Sequence, residues 1–459
     1  MKTAATPSFV AELPLRVGAD VEALLERTFD FARNLYNATL GTVLGRYQAL
    51  RESQAWQLAR AVPKKEAGEV FNRLMRQADL TKSGFEKILN KHRHSSGRAE
   101  QLDCNSGQKI ADRLWDAFMR YRTRQGGKPR FKSERRGIHS IEGKTNTTGF
   151  RWKAQEGCVR WGKRRLPVIV NKQDDWLMRA LADPIDPSKR RRVKYCRILW
   201  RKFGGRKRWF VQLVCEGVSP IKHIFAPTER KAGIDPSTKS MTVACACGAV
   251  EKVDLATPLK KADREIRLLQ RKLDRSRRAT NKDNYNKDKT VKKGASGWVY
   301  SKHYEKIRTV YADAQRRAAA HRKCVCNEAV NWVLGQAGCI IVEKNNFKAF
   351  QKSRYGKSIS KAAPGQFVTN LNVKAVSAGL KVFIVPPYEL RPSQHDIETG
   401  QYVRHELCER WVKLGQSGLW LNRNALAALN LFWLDDAATR YSAARRSERT
   451  LGSRETGWA

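Results

Sequence analysis

The order of strand and helix patterns after Lys231 restricts the fold of this chain more than any other feature. KAGIDPSTKSMTVACA has the pattern of a strand, a turn and a second strand, and AVEKVDLA that of a third. Two long helical patterns then flank a polar loop at residues 280–301. A buried strand (GCIIVEKN), a loop, a helix, another strand (KVFIVPP) and a last helix (NRNALAALNLFWL) follow. Three successive strands, followed by strands separated by helices, predict a mixed α/β domain.

Two other patterns precede this region. An alternating segment, Ser8 to Val17, predicts an opening strand, and apolar residues then recur at helical spacing to about Arg124. Gly126, Gly127 and Pro129 end the helical pattern. Short alternating segments continue to residue 228, with a hairpin turn predicted at Gly204–Gly205. The chain is therefore predicted to be an α+β multidomain protein.

The charge of the chain predicts a polyanionic partner. Lys and Arg number 90 against 44 Asp and Glu, so the formal net charge is +46. A charge of this size disfavours the compact state unless an anionic partner neutralises it. A membrane surface would require a helix with a strongly apolar face opposite the charges. The basic residues lie instead on β-rich segments and on several helices, which favours nucleic acid and excludes a membrane partner. The ten scattered cysteines suit reduced thiols in a cytoplasm.

The densest basic run is residues 187–210, where Lys and Arg are interleaved with aromatic residues. Cations beside aromatic rings suit both phosphates and unstacked bases, whereas the alternative is a solvated hairpin with one buried aromatic face. The predicted nucleic-acid contacts in the run are Arg190, Arg191, Arg192, Lys194, Arg197, Arg201, Lys202, Arg206, Lys207 and Arg208. A second predicted basic surface comprises Arg120, Arg124, Lys128 and Arg130.

Two carboxylates stand at strand ends in the α/β region. Asp235 ends the strand of GIDPSTKS, and Glu343 ends that of GCIIVEKN. Carboxylates at the ends of neighbouring strands can share a divalent metal ion. Each alone is a weak signal, because an Asp after a strand is usually a turn former.

The surrounding motifs make the signal more specific. GIDPSTKSMTVA and IIVEKNNFKAFQKSRYGKS resemble the first and second RuvC motifs of TnpB proteins of bacterial insertion sequences and of their descendants, the type V CRISPR effectors. YELRPSQHDIETGQYVRHELCERWVKL resembles the region between the second and third motifs of this family. The resemblance implies a RuvC-type nuclease domain with an RNase H-like α/β fold and a helical insertion, residues 229–434.

The same resemblance implies roles for the remaining segments. Residues 18–125 would be a helical recognition lobe. The opening strand, residues 1–17, would join residues 126–228 in a basic, wedge-like β-barrel. That barrel would hold the guide RNA and read a short motif beside the target. Residues 435–459 form a polar, Arg-rich tail.

The resemblance also identifies a missing ligand. Asp235 and Glu343 match the first two catalytic carboxylates of the family, but the third position is Asn424, in LNRNALAALN. Asp435 and Asp436 follow about three helical turns later, roughly 16 Å along the axis, too far to replace it. An amide keeps one oxygen ligand and removes a full negative charge. We therefore expect Asp235 and Glu343 to bind Mg²⁺ weakly and cleavage to fall by orders of magnitude.

A second departure from the family concerns zinc. Many members carry CxxC pairs between the second and third motifs, which is a strong zinc signal. Only Cys408 lies in the corresponding short insert, residues 388–421. No zinc is predicted.

The predicted function is RNA-guided binding of double-stranded DNA by a protein with an inactivated nuclease site. Its partners would be a guide RNA, of transposon-end or CRISPR type, and target DNA beside a short flanking motif. A stable R-loop would block transcription or interfere by binding, in a bacterial cytoplasm close to the nucleoid. One alternative is an active Mg²⁺-dependent, RNA-guided endonuclease with a displaced third ligand. Another is a generic RNA-binding or architectural protein that kept the fold.

Overall fold

The computed structural model describes residues 6–134, 137–183, 185–186, 190–220, 229–245, 249–255, 260–406, 408–435, 438 and 441. Most of the predicted Arg-rich tail lies outside these residues. The chain divides into two compact units, residues 1–220 and 221–459. Both units contain helices and sheets, so the predicted α+β class is confirmed. None of the helices in the described segments has the length and apolar character needed to cross a membrane.

The first unit begins with a strand, β1 (Ser8–Pro14), which ends three residues earlier than the sequence predicted. Five helices follow, and the 34-residue α1 packs against α4 and α5 through an apolar face that includes Leu25, Phe29 and Leu40. Asp103 caps α5 by accepting from the Ser106 backbone N–H (3.0 Å). The bounds are α1 (Ala19–Glu52), α2 (Gln54–Ala61), α3 (Lys64–Gln77), α4 (Lys82–Ser95) and α5 (Cys104–Arg122).

Two antiparallel sheets complete the first unit. Besides β1, their strands are β2 (Ser140–Glu142), β3 (Phe150–Lys153), β4 (Cys158–Trp161), β5 (Arg164–Pro167), β6 (Val193–Phe203) and β7 (Arg206–Glu216). A short helix, α6 (Asp175–Leu181), lies between β5 and β6 in the chain. The larger sheet has the order β1-β7-β6-β2 and the smaller β3-β4-β5. A bridge between Leu15 and Val168 joins them, and both contribute to one apolar core. The predicted Gly204–Gly205 hairpin turn is confirmed, because these residues connect β6 and β7 with φ of 54° and 86°.

The second unit is built on a five-stranded sheet of order β10-β9-β8-β11-β12. The strands β8, β9 and β10 are antiparallel neighbours, whereas β8, β11 and β12 are parallel. The three-strand start, the buried strand β11 and the later strand β12 therefore form as the sequence predicted, and β12 is a largely uncovered edge strand. The bounds are β8 (Lys231–Pro236), β9 (Ser240–Cys245), β10 (Val250–Asp254), β11 (Cys339–Glu343) and β12 (Lys381–Val385).

The helices of the second unit cover both faces of this sheet. The carboxyl-terminal half of α8 and helix α11 pack on one face, where Ile234, Val243 and Val342 are buried. Helix α13 packs on the other face, close to Ala244 and Ile341. The remaining elements are α7 (Lys260–Thr280), α8 (Lys302–Gln336), α9 (Phe347–Phe350), α10 (Gly356–Ala362), α11 (Pro364–Ser377), α12 (Pro387–Leu390), β13 (Trp411–Lys413), β14 (Trp420–Asn422) and α13 (Arg423–Phe432).

Candidate active site and nucleic-acid interface

The sheet register brings Asp235 and Glu343 together. The parallel strands β8 and β11 pair Ile234 with Val342, and each carboxylate is the next residue of its strand. Because side chains alternate between the faces of a sheet, both carboxylates lie on the face opposite Ile234 and Val342. This is the face that α13 covers. The site therefore lies at the carboxyl ends of two central strands, under the start of a helix.

Helix α13, whose first turn carries Asn424, packs closely against strand β8. A side chain at Gly233 would collide with the backbone of Ala428 and Phe432, so only glycine lets the helix lie this close to the strand. Helix α13 begins at Arg423, after the N-cap residue Asn422, whose side chain accepts from the Asn424 backbone N–H (3.0 Å).

The Asn424 amide is engaged in a hydrogen bond at this position. Its Nδ2 donates to the Ser237 hydroxyl (2.9 Å), and Ser237 lies two residues after Asp235. The amide therefore lies beside the turn that follows the first carboxylate. The structure thus places Asp235 beside Glu343 and Asn424 beside the turn after Asp235, and the catalytic role of the three residues stays a prediction.

The carboxylate pair carries uncompensated charge. Burial raises the pKa of Asp235 well above its ordinary value, and the charge of Glu343 and a hydrogen bond between the two carboxyl groups raise that pKa further. The nearby positive charge of Arg423 lowers the pKa of Asp235 by a smaller amount. The structure therefore keeps two acids close together in a buried place, which is costly unless a cation or a proton is shared between them.

Asn345 braces the two strand ends. Its Nδ2 donates to the Pro236 carbonyl (3.0 Å) and lies 3.4 Å from Glu343 Oε2. One amide thus contacts the chain directly after Asp235 and the second carboxylate itself. Sequence analysis did not single out Asn345, although its place two residues after Glu343 was a usable signal.

The donor set determines which metal centre fits. In the part of the chain that the structure describes, no Asp, Glu, His or Cys forms a group of three metal-ligating side chains, at this site or elsewhere. Asp235 and Glu343 supply two anionic groups, and the Asn424 side chain is neutral. Two divalent ions about 4 Å apart repel one another and need several anionic ligands. The residues present do not fit a two-metal centre, and we derive no cleavage step from them.

Carboxylates organise the insert between β12 and α13. Asp396 Oδ1 accepts from the backbone N–H groups of Glu398 (2.8 Å) and Thr399 (3.0 Å), and its Oδ2 accepts from Gly415 (2.8 Å). Glu398 Oε2 accepts from Gln416 (2.9 Å) and Ser417 (2.8 Å). These bonds connect two distant segments of residues 388–421. The absence of zinc stays a prediction.

The β6–β7 hairpin carries a face of cations and aromatic rings. Arg201 lies opposite Arg208 in the register, and Phe203 opposite Arg206. The Arg208 guanidinium lies over the Phe203 ring (5.2 Å to the centroid), and Arg201 lies over Phe210 (5.1 Å). The guanidinium groups are thus held beside flat apolar surfaces, an arrangement that suits phosphates and exposed bases.

The prediction that Arg191 contacts nucleic acid is corrected by the structure. Arg191 is only 7% exposed, and its guanidinium donates to the backbone carbonyls of Ala182 (3.1 Å) and Glu216 (3.1 Å). The guanidinium therefore supplies hydrogen bonds to backbone carbonyls at the end of β7 and directly after α6. Arg191 is therefore a structural residue, because a guanidinium enclosed by carbonyls does not reach a ligand.

Several other predicted contacts have partners within the first unit. Arg197 donates twice to Glu142, and Arg201 donates twice to Glu12. Lys207 forms an ion pair with Glu26, Lys194 donates to the Thr6 carbonyl (2.8 Å), and Arg192 lies 3.4 Å from Glu216. The remaining predicted residues are all exposed: Arg120, Arg124, Lys128, Arg130, Arg190, Lys202, Arg206 and Arg208.

A basic groove along α7 was missed by the sequence analysis. Arg264, Arg267 and Arg271 recur at intervals of three and four residues, and with Lys361 they line a groove of about 480 Å³. Asp263 lies at the same groove and forms an ion pair with Lys361. Helical periodicity of arginine over residues 264–271 was the available signal.

No protein-family profile matches the chain, and no curated protein matches it. The chain is similar to a cryo-EM structure of a Cas12f1–sgRNA–target DNA complex, with 13% identity, 92% of this chain and 98% of that chain covered, and a TM-score of 0.46. It is also similar to a cryo-EM structure of a CRISPR-Cas12f ternary complex, with 13% identity, 90% and 82% covered, and a TM-score of 0.28.

Because both TM-scores lie below 0.5, we base the chemistry of the site on the residues of this chain.

Proposed function

We propose that this chain binds double-stranded DNA under the direction of a guide RNA and does not cut it. The observation that carries the proposal is the Asn424 amide, which donates to Ser237 at the position where the motifs predict a third carboxylate. Asp235 and Glu343, which the motifs match to the first two carboxylates of a RuvC-type site, lie at the ends of the neighbouring strands β8 and β11. The anionic charge that two catalytic metal ions require is incomplete.

The charge distribution supports nucleic acid as the ligand. The net charge of +46 favours a polyanionic partner, and on the β6–β7 hairpin the exposed Arg208 guanidinium lies beside the Phe203 ring. Such contacts neutralise phosphates and stack on bases without reading a sequence. Sequence specificity would therefore come from base pairing with the guide, as the TnpB-like motifs imply.

The proposed division of labour follows the predicted domains. Residues 18–125 would form the recognition lobe, and residues 1–17 with 126–228 the wedge that holds the guide and reads a short flanking motif. Residues 229–434 would form the RNase H-like domain and bind Mg²⁺ weakly at most. A guided complex that does not cleave leaves a persistent R-loop, which blocks transcription or interferes with the bound DNA.

The binding part of the proposal is tested by expressing the full chain with its genomic neighbourhood and sequencing the RNA that copurifies. The purified complex is then titrated with a duplex matching that guide and with a scrambled duplex of equal length. We expect tighter binding to the matching duplex, by at least a hundredfold. Equal affinity for both duplexes would instead support a generic nucleic-acid-binding protein.

An active endonuclease is the competing function. It requires a further acid beside Asp235 and Glu343, and no such acid joins them among the described residues. The Asp235→Ala variant is its control, because an active site would lose cleavage with that substitution. We therefore retain guided binding as the conclusion.

A further inference from the structure

The segment between α7 and α8 forms a compact, strongly basic loop, residues 281–301, which we name the basic finger. It contains five lysines, Lys282, Lys287, Lys289, Lys292 and Lys293, all of them exposed. Two aspartates, Asp283 and Asp288, are its acidic residues. The finger therefore presents a net positive charge of three within 21 residues.

Internal hydrogen bonds give the finger a defined shape. Asn281 closes its base: its Nδ2 donates to the Val299 carbonyl (2.8 Å), and its Oδ1 accepts from the Val299 N–H (2.7 Å). Nearer the tip, the Lys292 N–H donates to the Asn284 carbonyl (2.9 Å) and the Asn286 N–H to the Thr290 carbonyl (2.8 Å). The lysines are consequently carried on an ordered turn.

A cation–aromatic cluster anchors the finger to α7. The Arg277 guanidinium lies 5.8 Å from the centroid of Tyr285 and 5.3 Å from that of Trp298, and the two rings meet edge to face at 5.8 Å. Asp274 accepts from Arg277 (3.1 Å). An arginine held in this way positions the loop and is not a ligand contact itself.

The helical hairpin holds the finger away from the sheet. Near the start of α7, Asp263 pairs with Lys361 of α10, a helix that packs on the core through Ala362. From Asp263 to Thr280 the helix rises roughly 26 Å.

We propose that the basic finger contacts the phosphodiester backbone of a nucleic-acid duplex. Lysine ammonium groups are compact point charges that suit phosphates better than base edges. A membrane surface would require a continuous apolar helix face, and the finger is a short polar turn. The choice of nucleic acid rests on the proposed function, but the contact is measurable without a guide.

The first test removes charge from the finger in the full chain. The substitutions Lys287→Gln, Lys289→Gln, Lys292→Gln and Lys293→Gln are combined, and binding to a 30-base-pair DNA duplex is measured from 50 to 200 mM salt. We expect the slope of log K against log salt to fall in magnitude by about 2 to 3, because each phosphate contact contributes about 0.9. The matched control exchanges the same four lysines for arginine, which keeps the charge and should keep the slope.

The second test separates position from charge. Trp298→Ala removes one ring of the anchoring cluster and leaves every lysine in place. We expect a two- to fivefold loss of duplex affinity. We also expect weaker protection of Lys287, Lys289, Lys292 and Lys293 from chemical acetylation by the bound duplex. Full protection of these lysines in the Trp298→Ala variant would show that the anchor does not position them.

Three ligands identify the source of the phosphates: a DNA duplex, an RNA–DNA hybrid of the same length and vesicles of anionic lipid. A reduced slope with either duplex supports the proposal and names its ligand. An unchanged slope with both duplexes, or a loss of affinity for vesicles only, would overturn it. The salt slope is measured without a guide RNA, so it does not depend on guided targeting. A chain that fails to find guided targets can still support the finger contact, and a chain that finds them can still contradict it.

Discussion

Two carboxylate sites with restricted access to solvent, one in each unit, have opposite surroundings. In the first unit, Glu142 lies between Arg113 (2.9 Å) and Arg197 (2.7 Å). In the second, Asp235 is hydrogen-bonded to another carboxyl group, that of Glu343, with Arg423 as a weaker influence. Burial would raise the pKa of Glu142, but the charges and hydrogen bonds of the two arginines lower it below its ordinary value. The pKa of Asp235 is raised.

The difference separates a site with compensated charge from the candidate functional site. Glu142 stabilises the fold, because its charge is compensated where it is buried. The Asp235–Glu343 pair works against the folded state at neutral pH, since two acids share a place with little water. Such an arrangement persists when it serves a ligand, and strained groups of this kind concentrate at functional sites.

The largest expected effect comes from completing the second site. Asn424→Asp adds a third carboxylate at the start of α13, beside Ser237. We expect the affinity for Mn²⁺, measured by calorimetry or electron paramagnetic resonance, to rise at least tenfold, which is about 1.4 kcal/mol. The control is Asn424→Ala, which removes the amide and adds no charge. Equal Mn²⁺ affinity in the two variants would mean that position 424 does not face the carboxylate pair.

The compensated site is tested by removing its charge. Glu142→Gln should lower the free energy of unfolding by about 2 kcal/mol, less than for a fully buried pair because both guanidiniums retain contact with water. Because the pKa of Glu142 is lowered, this loss is present above the ordinary carboxyl pKa, about 4.3, and disappears as the pH falls through the lowered value.

Chemical denaturation at pH 7 and at pH 3 measures the effect of Glu142→Gln. The matched control is Glu156→Gln, at a carboxylate of the same unit whose side chain is 36% exposed, against 11% for Glu142, and which pairs with Arg160 (2.8 Å). It should leave the unfolding midpoint almost unchanged. A loss of equal size in the two variants would contradict the distinction between buried and exposed pairs.

Removing the charge of Asp235 should change the free energy of unfolding in the opposite direction to Glu142→Gln. Asp235→Asn should raise the free energy of unfolding at pH 8 by about 1 kcal/mol, because it removes a charge that the folded state disfavours. Since a raised carboxyl pKa makes the wild type lose stability as the pH rises, the gain should shrink as the pH falls below that pKa. Denaturation curves at several pH values follow the gain.

Asp183→Asn, in the first unit, is the control for Asp235→Asn. Asp183 accepts backbone hydrogen bonds from Ile185 and Asp186, and its pKa is lowered. Its amide variant should bring no gain in stability. A destabilised Asp235→Asn variant at pH 8 would show that the charge of Asp235 is compensated after all.

The candidate site could be predicted from sequence because its residues are tied to regular elements. Asp235 and Glu343 follow apolar runs that form parallel neighbouring strands, so strand ends suffice to place them together. Asn424 lies at a helix start that the apolar pattern identifies. The hydrogen bond between Asn424 and Ser237 joins residues 187 positions apart and has no signal in either local pattern.

The basic surfaces were less predictable, because composition does not tell a paired arginine from an available one. Arg191 lies in the densest basic run, yet carbonyls from the end of α6 and from β7 enclose it. Arg201 meets Glu12, 189 residues away, through the pairing of β1 and β6 on either side of β7. The sheet order determines these partners, and the run itself does not encode it.

The central claim, a guided complex that holds DNA without cutting it, is tested most directly by one measurement. The wild-type chain with its copurified RNA is incubated with end-labelled target duplex in Mg²⁺ and in Mn²⁺, and binding and strand scission are followed in the same samples. We predict a stable complex in which both DNA strands stay intact. Scission of either strand by the wild type, abolished in Asp235→Ala, would contradict the account.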